Sequence, residues 1–399
     1  MRRLLFVDDE PALLDGLRRS LYRAQKSWDM TFVASGALAI SELERRPYDV
    51  IVADMRMARL DGAQLLERAC ESAPDTVRIV LSGYCERSET LRLVPLAHRY
   101  LAKPCPAARL QQTIENSLQL RELIRNPAAR AMVGQIRTIP TIPTVYARLR
   151  ELLAQEATSA EQVAELIARD SAVAAKVLQV ANSAFFRQVR DICSLEQAVV
   201  HLGFDVIRTL VLSTEVFSIF PKTMHAEGLG PDDLQTHVQN VAAGARVLAG
   251  TAAWAEEAML AGLLHDFGYW ILLQQCPLEV ARARRLANRE GIAIEEAEYR
   301  LFETSHAEIG AYLLGLWGLP DPIVEAAAFH HKPAAAAQTE FGVVAAVAIA
   351  HAVTDTMGAG SLVQRDLDRV RAVDASYLKD LHAPFDWHQA EERITGLLA

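Results

Sequence analysis

Short apolar runs alternate with amphipathic helical patterns through the first third of the chain. The predicted strands lie at 4–8, 30–34, 49–53, 77–81 and 100–102. Between them apolar residues recur about every 3.6 positions, as on one face of a helix, and the last such stretch covers 106–124. This alternation is typical of a parallel sheet covered by helices on both faces. We therefore predict an α/β domain over residues 1–122 with a doubly wound, five-stranded parallel sheet.

The pattern changes after the last of these helices. Asn126-Pro127 and the run Ile139-Pro140-Thr141-Ile142-Pro143 are turn signals that mark a linker and the start of a second domain. Beyond them, segments rich in alanine, leucine and valine have helical periodicity, and no convincing strand is present. We predict a helical linker over 123–136, an all-α domain over 137–340 and a helical C-terminal extension over 341–399.

Composition and charge narrow the class of protein. The chain has 399 residues, enough for two or three domains with their own cores, and 51% of them are apolar. The formal net charge of −9 disfavours broad contact with nucleic acid or an anionic membrane. The five cysteines are scattered without metal-ligand spacing, and no segment reads as a signal peptide or a membrane span. We therefore expect a soluble cytoplasmic protein that is not built to bind membranes or nucleic acid.

Polar residues follow the apolar runs at the points where strands should end. Asp8 and Asp9 come at the end of the first run, Asp54 follows the third, Ser82 the fourth and Lys103 the fifth. In an open α/β sheet the carboxyl ends of the strands meet at one crevice. Carboxylates held this close repel one another unless one is protonated or a cation lies among them. Because hard oxygen ligands suit Mg²⁺, the sequence predicts a magnesium site that handles a phosphoryl group.

The same residues, in the same order, resemble the receiver domain of two-component response regulators, which has a flavodoxin-like fold. Met57, Tyr100 and the pair Asp61-Gly62 add to the match, which covers the whole predicted α/β domain. The resemblance implies that Asp54 accepts a phosphoryl group from a sensor histidine kinase. Ala58 departs from the family pattern, in which proline usually follows the methionine.

The resemblance also implies roles for the neighbouring side chains. Magnesium at the receiver would be held by Asp8, Asp9, Asp54 and the backbone carbonyl of Arg56, with Asp8 acting through water. The phosphoryl group would be met by Lys103, Ser82 and Tyr100, the last two as switch residues that move on phosphorylation. Charge neutralisation by a metal ion and a lysine supplies most of the catalysis in such transfers.

Histidines are concentrated in the helical part of the chain. His265 and Asp266 follow a tight apolar helix that would bury them, and buried polar groups need partners. Histidine and aspartate are suitable ligands for a divalent metal. The set that resembles the HD superfamily of metal-dependent phosphohydrolases is His237, His265, Asp266, His306, His330, His331 and His351. In particular, its order is similar to that of the HD-GYP phosphodiesterases, which open cyclic di-GMP.

This HD-like pattern is degenerate at three points. Tyr269 stands where the family has a lysine, and no Gly-Tyr-Pro motif follows His331. His351 stands where the last metal-binding aspartate would align, which lowers the charge of the ligand set. We therefore predict that a divalent metal is held less tightly here and that the domain is not an enzyme.

A second resemblance accounts for these losses. The predicted all-α domain resembles the HDOD domain, an HD-related output domain that usually lacks phosphohydrolase activity. The matching segments are 139–143, 167–170, 176–186, 194–199 and 202–204. In the third of them we expect Asn182 to cap a helix in the left-handed conformation, and Phe185 and Phe186 to lie in the core.

A signalling switch is the function that this combination favours. A complete receiver stands beside an incomplete hydrolase, so phosphorylation of Asp54 would alter how a non-catalytic output domain meets an unidentified protein partner. The helix near 106–124 would carry the signal. Receivers often pair through the face that contains this helix, so a homodimer is one form that we consider.

Two other functions compete with the switch. The first is a receiver-controlled phosphodiesterase that acts on a cyclic dinucleotide or another phosphate ester, with two metal ions activating water. The second is a transcription factor with a helix-turn-helix over 158–182, whose reading helix offers Lys176 and Gln179 to DNA.

Overall fold

The structure is a computed structural model of the chain. The described residues are 1–22, 27–58, 60–82, 95–136, 139–141, 143–153, 155, 158–183, 186, 191–212, 217–219, 226, 229–336, 338–356, 379–381, 383, 384 and 386–398. No helix within these ranges is both long enough and apolar enough to cross a bilayer.

A five-stranded parallel sheet forms the N-terminal domain, and this prediction is confirmed. Its strands are β1 (Arg2–Val7), β2 (Trp28–Val33), β3 (Val50–Asp54), β4 (Val77–Ser82) and β5 (Arg99–Ala102). The helices of this domain are α1 (Pro11–Ser20), α2 (Gly36–Arg45), α3 (Gly62–Ser72) and α4 (Ala107–Leu123). The strand order β2-β1-β3-β4-β5 places a topological switch point between β1 and β3, where a crevice opens at the carboxyl ends of the strands.

Side chains alternate between the two faces of this sheet. Leu4 and Phe6 of β1 join one buried cluster, whereas Leu5 and Val7 join another. Because helices cover both faces, the central strands are apolar at nearly every position. For this reason the sequences of the strands are continuous apolar runs and do not alternate between apolar and polar residues.

Helices make up most of the chain after α4. In order they are α5 (Pro127–Gly134), α6 (Pro143–Leu153), α7 (Ala160–Ile167), α8 (Ser171–Ala181), α9 (Leu195–Leu202), α10 (Phe204–Leu212), α11 (Pro231–Ala249), α12 (Ala255–Leu264), α13 (Phe267–Gln275), α14 (Pro277–Glu290), α15 (Ile294–Phe302), α16 (His306–Leu316), α17 (Asp321–Phe329), α18 (Val343–Thr356) and α19 (Trp387–Leu398). The core of this domain forms where α11 packs on α12 and α18, and where α17 packs on α16.

Two short strands correct the prediction that this region contains none. The strands β6 (Ile139–Thr141) and β7 (Phe217–Ile219) pair in parallel, with Pro140 opposite Ser218. Proline cannot donate to a strand ladder and is tolerated only at a sheet edge, which a two-stranded sheet has on both sides. Pro140 therefore concealed a strand that is too short to show a period of two.

Asn182 ends α8 as predicted, but for a different reason. Its φ is −88°, outside the left-handed region. Its side chain instead accepts from the backbone N–H of Ile192 at 2.8 Å and donates to the Leu178 carbonyl at 3.1 Å. Phe186 packs against the core as expected, and Phe185 lies outside the described residues.

The two domains contact each other through α4 and α5. Leu120 on α4 lies against Gly315 on α16. Arg130 on α5 forms an ion pair with Asp75 of the sheet domain, with 2.8 Å between Nε and Oδ1. The α4 face considered for a homodimer is therefore partly covered by the same chain.

Candidate functional site

Three carboxylates and a lysine meet at the carboxyl ends of β1, β3 and β5. Asp8, Asp9 and Asp54 each contribute one oxygen to a group whose atoms lie within 4.8 Å of one another. Lys103 Nζ lies 2.7 Å from Asp8 Oδ2 and 2.6 Å from Asp54 Oδ1. The structure thus assembles the residues that the strand ends predicted. Because the acidic donors are all carboxylate oxygens, the group fits Mg²⁺.

Burial and charge act in opposite directions on this acidic cluster. Burial raises the pKa of Asp54, and the neighbouring Lys103 opposes the rise without cancelling it. Burial acts to lower the pKa of Lys103, but hydrogen bonds to Asp54 and Asp8 outweigh it, so the net shift is upward. The lysine therefore remains charged beside Asp54, where it can meet an incoming anionic group.

The loop after Asp54 is held close to the acidic cluster. A Cβ on Gly62 would collide with the carbonyl oxygen of Asp54, so the close approach requires glycine. Asp61 before it caps α3 with a capping box. Ala58 donates its backbone N–H to Asp9 Oδ2 at 2.8 Å. The proline usual at this position could not donate, so the departure ties the loop to a predicted magnesium ligand.

The remaining predicted receiver residues lie on adjacent strands and on this loop. Ser82 ends β4 opposite Ala102, and its side chain lies outside the described part of the structure. Tyr100 lies opposite Val80 and is only 7% exposed, and this burial raises its pKa. Arg56 follows β3 in an exposed position. The functional roles of Ser82, Tyr100 and Arg56 stay predictions.

All seven residues of the HD-like set converge in the helical domain. They form two groups of potential metal ligands, and within each group the ligand atoms lie within 4.8 Å of one another. The first group is His237, His265, Asp266 and His351, and the second is His306, His330 and His331. Asp266 also lies close to His306 and His330 of the second group. Six of the seven are 0–2% exposed, and His331 is half-buried. We call these seven residues the histidine centre.

Four ligand atoms of the first group face one another closely. The Nε2 atoms of His237 and His265 each lie 3.1 Å from His351 Nδ1. Asp266 Oδ2 lies 3.4 Å from His237 Nε2 and 3.3 Å from His265 Nε2. The first group thus brings three nitrogens and one oxygen close together.

Asp266 presents its other oxygen to the second group. Asp266 Oδ1 lies 3.4 Å from His306 Nε2 and 3.3 Å from His330 Nε2. His331 Nε2 lies 2.9 Å from His306 Nε2. Within the described part of the chain, neither oxygen of Asp266 has a partner in hydrogen-bond geometry, and the same is true of His330 Nε2. Buried acceptors without such partners are what a cation site requires.

Backbone carbonyls orient two of the imidazoles. His265 Nδ1 lies 2.7 Å from the Gly262 carbonyl, and His330 Nδ1 lies 3.0 Å from that of Ala327. A carbonyl can only accept, so each Nδ1 donates to it and each Nε2 is turned towards Asp266. Metal-binding histidines show this arrangement almost without exception.

Two buried carboxylates orient other imidazoles of the centre in the same way. Glu298 on α15 lies 2.7 Å from His306 Nδ1 through Oε2, and the same oxygen accepts from the His306 backbone N–H at 3.0 Å. Asp355 on α18 lies 3.4 Å from His351 Nε2 through Oδ2 and 3.8 Å from His237 Nδ1 through Oδ1. The histidine centre therefore has an outer layer of acceptors.

Ionisation in the centre reflects both burial and neighbouring charge. Burial acts to raise the pKa of Asp266, but His265, His306 and His330 outweigh it and hold that pKa well below its ordinary value. Burial acts to lower the pKa of His306, but Glu298 and Asp266 outweigh it and raise the pKa to about 10. Burial lowers the pKa of His330 to about 4. Asp266 is therefore ionised at the middle of the centre.

A close helix crossing brings the two groups together. A Cβ on Gly268 at the start of α13 would collide with the carbonyl oxygen of His306 at the start of α16, so the crossing requires glycine. Next to it, the ring of Tyr269 stacks on that of His306, with centroids 4.1 Å apart and planes inclined by 12°. The residue that replaces the family's lysine is therefore an aromatic ring packed against a histidine of the centre.

Sequence reasoning missed Glu298 and Asp355. Asp355 lies four residues after His351 on one helix, and this spacing was an available signal because it places both on one face. Glu298 lies on a different helix from His306 and is brought to it by the turn between α15 and α16. No spacing rule predicts that contact.

The helix proposed to read DNA is buried. All residues of α8 are buried, including Lys176 and Gln179. Lys176 Nζ donates to Gln179 Oε1 at 2.9 Å and lies 3.8 Å from the centre of the Trp317 ring. A helix packed on all sides does not present side chains to a DNA groove, so the structure gives this alternative no support.

Two known domain families match the chain. The response regulator receiver domain matches residues 4–115, and the HDOD domain matches residues 139–333. The receiver match contains Asp8, Asp9, Asp54 and Lys103, and the HDOD match contains every residue of the histidine centre except His351.

Individual relatives match one part of the chain or the other. An uncharacterized protein of Treponema pallidum is 23% identical over 211 residues, which cover 51% of this chain and 40% of that protein. The hydrogenase transcriptional regulatory protein HoxA of Cupriavidus necator is 34% identical over 122 residues, which cover 30% of this chain and 25% of HoxA. The chain thus spans less than half the length of these relatives.

A solved structure shares the fold over a longer stretch. The crystal structure of a virulence factor from Campylobacter jejuni superposes with a TM-score of 0.54 at 20% identity, and covers 67% of this chain and 94% of that one. At this level of identity the likeness concerns the fold alone.

Proposed function

Because the chain carries a response regulator receiver domain followed by an HDOD domain, we propose that it is a signalling switch controlled by phosphorylation of Asp54. In this proposal a sensor histidine kinase supplies the phosphoryl group. The HDOD domain is a non-catalytic output that binds a protein partner, and phosphorylation decides whether the binding surface is available.

The receiver crevice supplies the groups that phosphoryl transfer to an aspartate needs. An Asp54 oxygen forms the new bond to phosphorus while the bond between phosphorus and the donor nitrogen breaks. Asp9, Asp54 and the backbone carbonyl of Arg56 would hold Mg²⁺, with Asp8 acting through water, and the bound ion would neutralise charge on the transferring group. Lys103, now in contact with Asp54, then pairs with the phosphoryl oxygens.

The observation that supports the switch is that β4 and β5 connect the phosphorylation site to the contact between the two domains. At the carboxyl end of the pair lie Ser82 and Lys103. Near the amino ends, Arg78 Nη2 donates to the Gly134 carbonyl of α5 at 2.8 Å, and Arg99 lies against Gly318, which follows α16. A shift of either strand at the phosphorylation end therefore reaches the contact between domains.

Charge pairs hold the linker helix α5 in this arrangement. Asp75 pairs with Arg121 and with Arg130, each at 2.8 Å. Both arginines are largely buried, so removal of one partner would leave a partly desolvated charge without compensation. We assign this docked arrangement to the unphosphorylated protein and its release to the phosphorylated one.

Hydrogen–deuterium exchange of the full chain tests the switch. The measurement compares the wild type and Asp54→Asn, each with and without acetyl phosphate and Mg²⁺. We expect faster exchange in α4, α5 and α16 of the treated wild type, and no change in the variant, because the variant cannot form the acyl phosphate. If the treated wild type shows no change, or if Asp54→Asn shows the same change, the switch proposal is wrong.

A charge variant separates docking from phosphorylation. Arg130→Ala removes a partner of Asp75, so exchange in α5 should rise without acetyl phosphate. Arg300→Ala is the matched control, since Arg300 pairs with Glu290 and Glu296 on an exposed surface of the helical domain. Equal exchange in α5 of the two arginine variants would show that the pair of Asp75 with Arg130 does not hold this helix in place.

A second candidate function is a metal-dependent phosphodiesterase. The observation in its favour is the convergence of all seven HD-like residues. Against it stand the burial of six of them and the ring of Tyr269 in the place of the family's lysine. Hydrolysis assays with Mn²⁺ or Fe²⁺ on cyclic di-GMP and on a chromogenic phosphodiester test this function, and turnover that Asp266→Asn abolishes would establish it.

A further inference from the structure

Helix α14 presents a basic stripe to solvent. Its inner side packs on α13 and α15. On the outer side, each of five residues lies three or four positions from another, so that they share one face: Leu278, Arg282, Arg285, Leu286 and Arg289. Four of these residues and Leu301 of α15 line a shallow groove of about 560 Å³. Three arginines side by side are a local exception in a chain with a net charge of −9.

Exposed leucines lie among the arginines of the basic stripe. Leu278 is 73% exposed and Leu301, at the edge of the stripe, is 40% exposed. Apolar side chains gain free energy when another molecule covers them, and arginine is enriched where proteins meet. The stripe therefore fits a protein surface that combines carboxylates with apolar side chains.

The helical domain also contains an acidic groove of about 1200 Å³. It lies between α7, the segment 191–197 and α12, and it is lined by the carboxylates of Glu161, Glu165, Asp191, Glu196, Glu256 and Glu257. Its lining includes two arginines, Arg169 and Arg246, and the second pairs with Glu256 at 2.7 Å. Ala164, Leu195 and Met259 add apolar surface. The groove therefore keeps a surplus of negative charge beside apolar side chains.

We propose that the basic stripe of one chain docks into the acidic groove of a second copy of the chain. A helix laid into a groove is a common mode of protein recognition. Here the helix is basic and the groove is acidic, so the charges of the two surfaces are complementary. Because the two surfaces consist of different residues, one chain can use both at the same time.

The contact between copies is heterologous, because it joins two different surfaces. Each added copy brings a further stripe and a further groove, so association continues into a ring or an open chain of molecules. Both surfaces lie in the helical domain, and the contact does not require phosphorylation of Asp54. The proposal therefore goes beyond the signalling switch, and its failure would leave the switch to its own test.

The size and charge of the contact determine its strength. A helix of 14 residues is about 21 Å long, which makes the contact small. Attraction between exposed charges is screened by salt. We therefore expect association that increases with protein concentration and decreases as salt is added.

Sedimentation of the full chain at low salt tests the proposal. The stripe variant carries Arg282→Glu and Arg285→Glu, and the groove variant carries Glu161→Arg and Glu165→Arg. All four side chains are exposed, so their reversal leaves the core intact. The average mass of the wild type should rise with concentration, and each variant should associate at least about tenfold more weakly, because reversal replaces attraction by repulsion. A wild type that stays monomeric at every concentration would overturn the proposal.

A mixture of the two variants identifies the surfaces that meet. The stripe variant keeps its groove and the groove variant keeps its stripe, so an equal mixture should recover association between unlike chains. A mixture that stays monomeric contradicts the docking of these two surfaces, even if each variant alone has lost association.

A matched control separates the basic stripe from net charge. Arg19→Glu with Arg68→Glu changes two exposed arginines of the receiver, on α1 and α3, and alters net charge as the stripe variant does. This control should associate like the wild type. Equal loss of association in the control and in the stripe variant would show that total charge, and not the stripe, governs self-association.

Discussion

The receiver crevice and the histidine centre both surround a carboxylate with groups suited to a cation, but they do so in opposite ways. The crevice uses carboxylate oxygens and a lysine at the open end of a parallel sheet. The centre uses mostly nitrogen atoms in the interior of a helical bundle. Lys103 and Asp9 of the crevice are partly exposed to solvent, whereas six of the seven residues of the histidine centre are at most 2% exposed.

The two sites therefore differ both in the type of donor atom and in how far their side chains are exposed to solvent. Asp54 and Asp266 are both buried aspartates with positively charged or metal-seeking neighbours. Burial acts to raise the pKa of both aspartates, but the net shifts are opposite: burial prevails over Lys103 at Asp54, whereas the imidazoles prevail over burial at Asp266. Only Asp54 lies at a crevice that a phosphoryl donor can reach.

The largest expected effect separates the two aspartates by reactivity. Asp54→Asn should abolish the acid-labile phosphoryl group that forms with acetyl phosphate and Mg²⁺, because an amide cannot form the mixed anhydride. Asp266→Asn should be phosphorylated like the wild type. Intact mass spectrometry before and after mild hydroxylamine measures both. A phosphoryl group on Asp54→Asn, or none on Asp266→Asn, would show that the two aspartates do not differ in reactivity as expected.

A packing change should disable the histidine centre without touching a ligand. Gly268→Ala places a methyl group against the His306 carbonyl and should cost about 3 kcal/mol of unfolding free energy. Gly16→Ala is the control, since a Cβ there meets nothing within 4 Å and gains about 0.5–1 kcal/mol in a helix. Urea unfolding measures both variants. An unfolding free energy of Gly268→Ala equal to that of the wild type would contradict the close approach of α13 and α16.

A buried lysine between the two regions should give stability a distinct pH dependence. Burial lowers the pKa of Lys176, which lies over the Trp317 ring, to about 7. Between pH 7 and 10 the unfolded chain therefore binds a proton that the folded chain does not, so stability rises with pH. Lys176→Met should lose this rise, which is roughly 2 kcal/mol between pH 7 and 9.

The difference between wild type and Lys176→Met in urea midpoint is the quantity to measure at each pH. Other titrating groups contribute equally to both proteins and cancel. Parallel curves for the two proteins would show that Lys176 keeps its ordinary ionisation in the folded state.

The smallest expected effect concerns magnesium affinity in the crevice. Ala58→Pro removes the N–H that now bonds Asp9 Oδ2. Freed from a hydrogen bond worth about 1 kcal/mol, Asp9 should bind Mg²⁺ about fivefold more tightly. Ala58→Gly keeps the N–H and should leave affinity unchanged. Calorimetric titration decides, and weaker binding by the proline variant would show that the hydrogen bond helps to hold the ligand in place.

The sequence predicted the crevice well because strand order and strand ends follow from local patterns. Asp8, Asp54 and Lys103 each come directly after or at the end of an apolar run, and a parallel sheet brings such ends together. The histidine set was likewise visible, since His265-Asp266 follows an apolar helix. Contacts between residues of these sites could be predicted only where both residues lie on the same helix or strand.

The missed features depend on contacts between elements distant in sequence. Glu298 reaches His306 only after α15 and α16 fold against each other. The clamp of Asp75 on Arg130 depends on how the linker lies against the receiver. The Ala58 hydrogen bond depends on the path of the loop after β3, which brings Ala58 to Asp9 of a different strand end. None of these contacts leaves a period or a spacing in the chain.

The placement of His351 sets an order of events during synthesis. It lies on α18, 114 residues after His237, its neighbour in the first group. Domains fold as units as the chain leaves the ribosome, N-terminal first. The receiver domain is therefore synthesised and able to fold before His351, so the histidine centre closes only after the rest of the helical domain has been made. If Asp54 is phosphorylated as proposed, the kinase would meet a folded receiver before the output domain is complete.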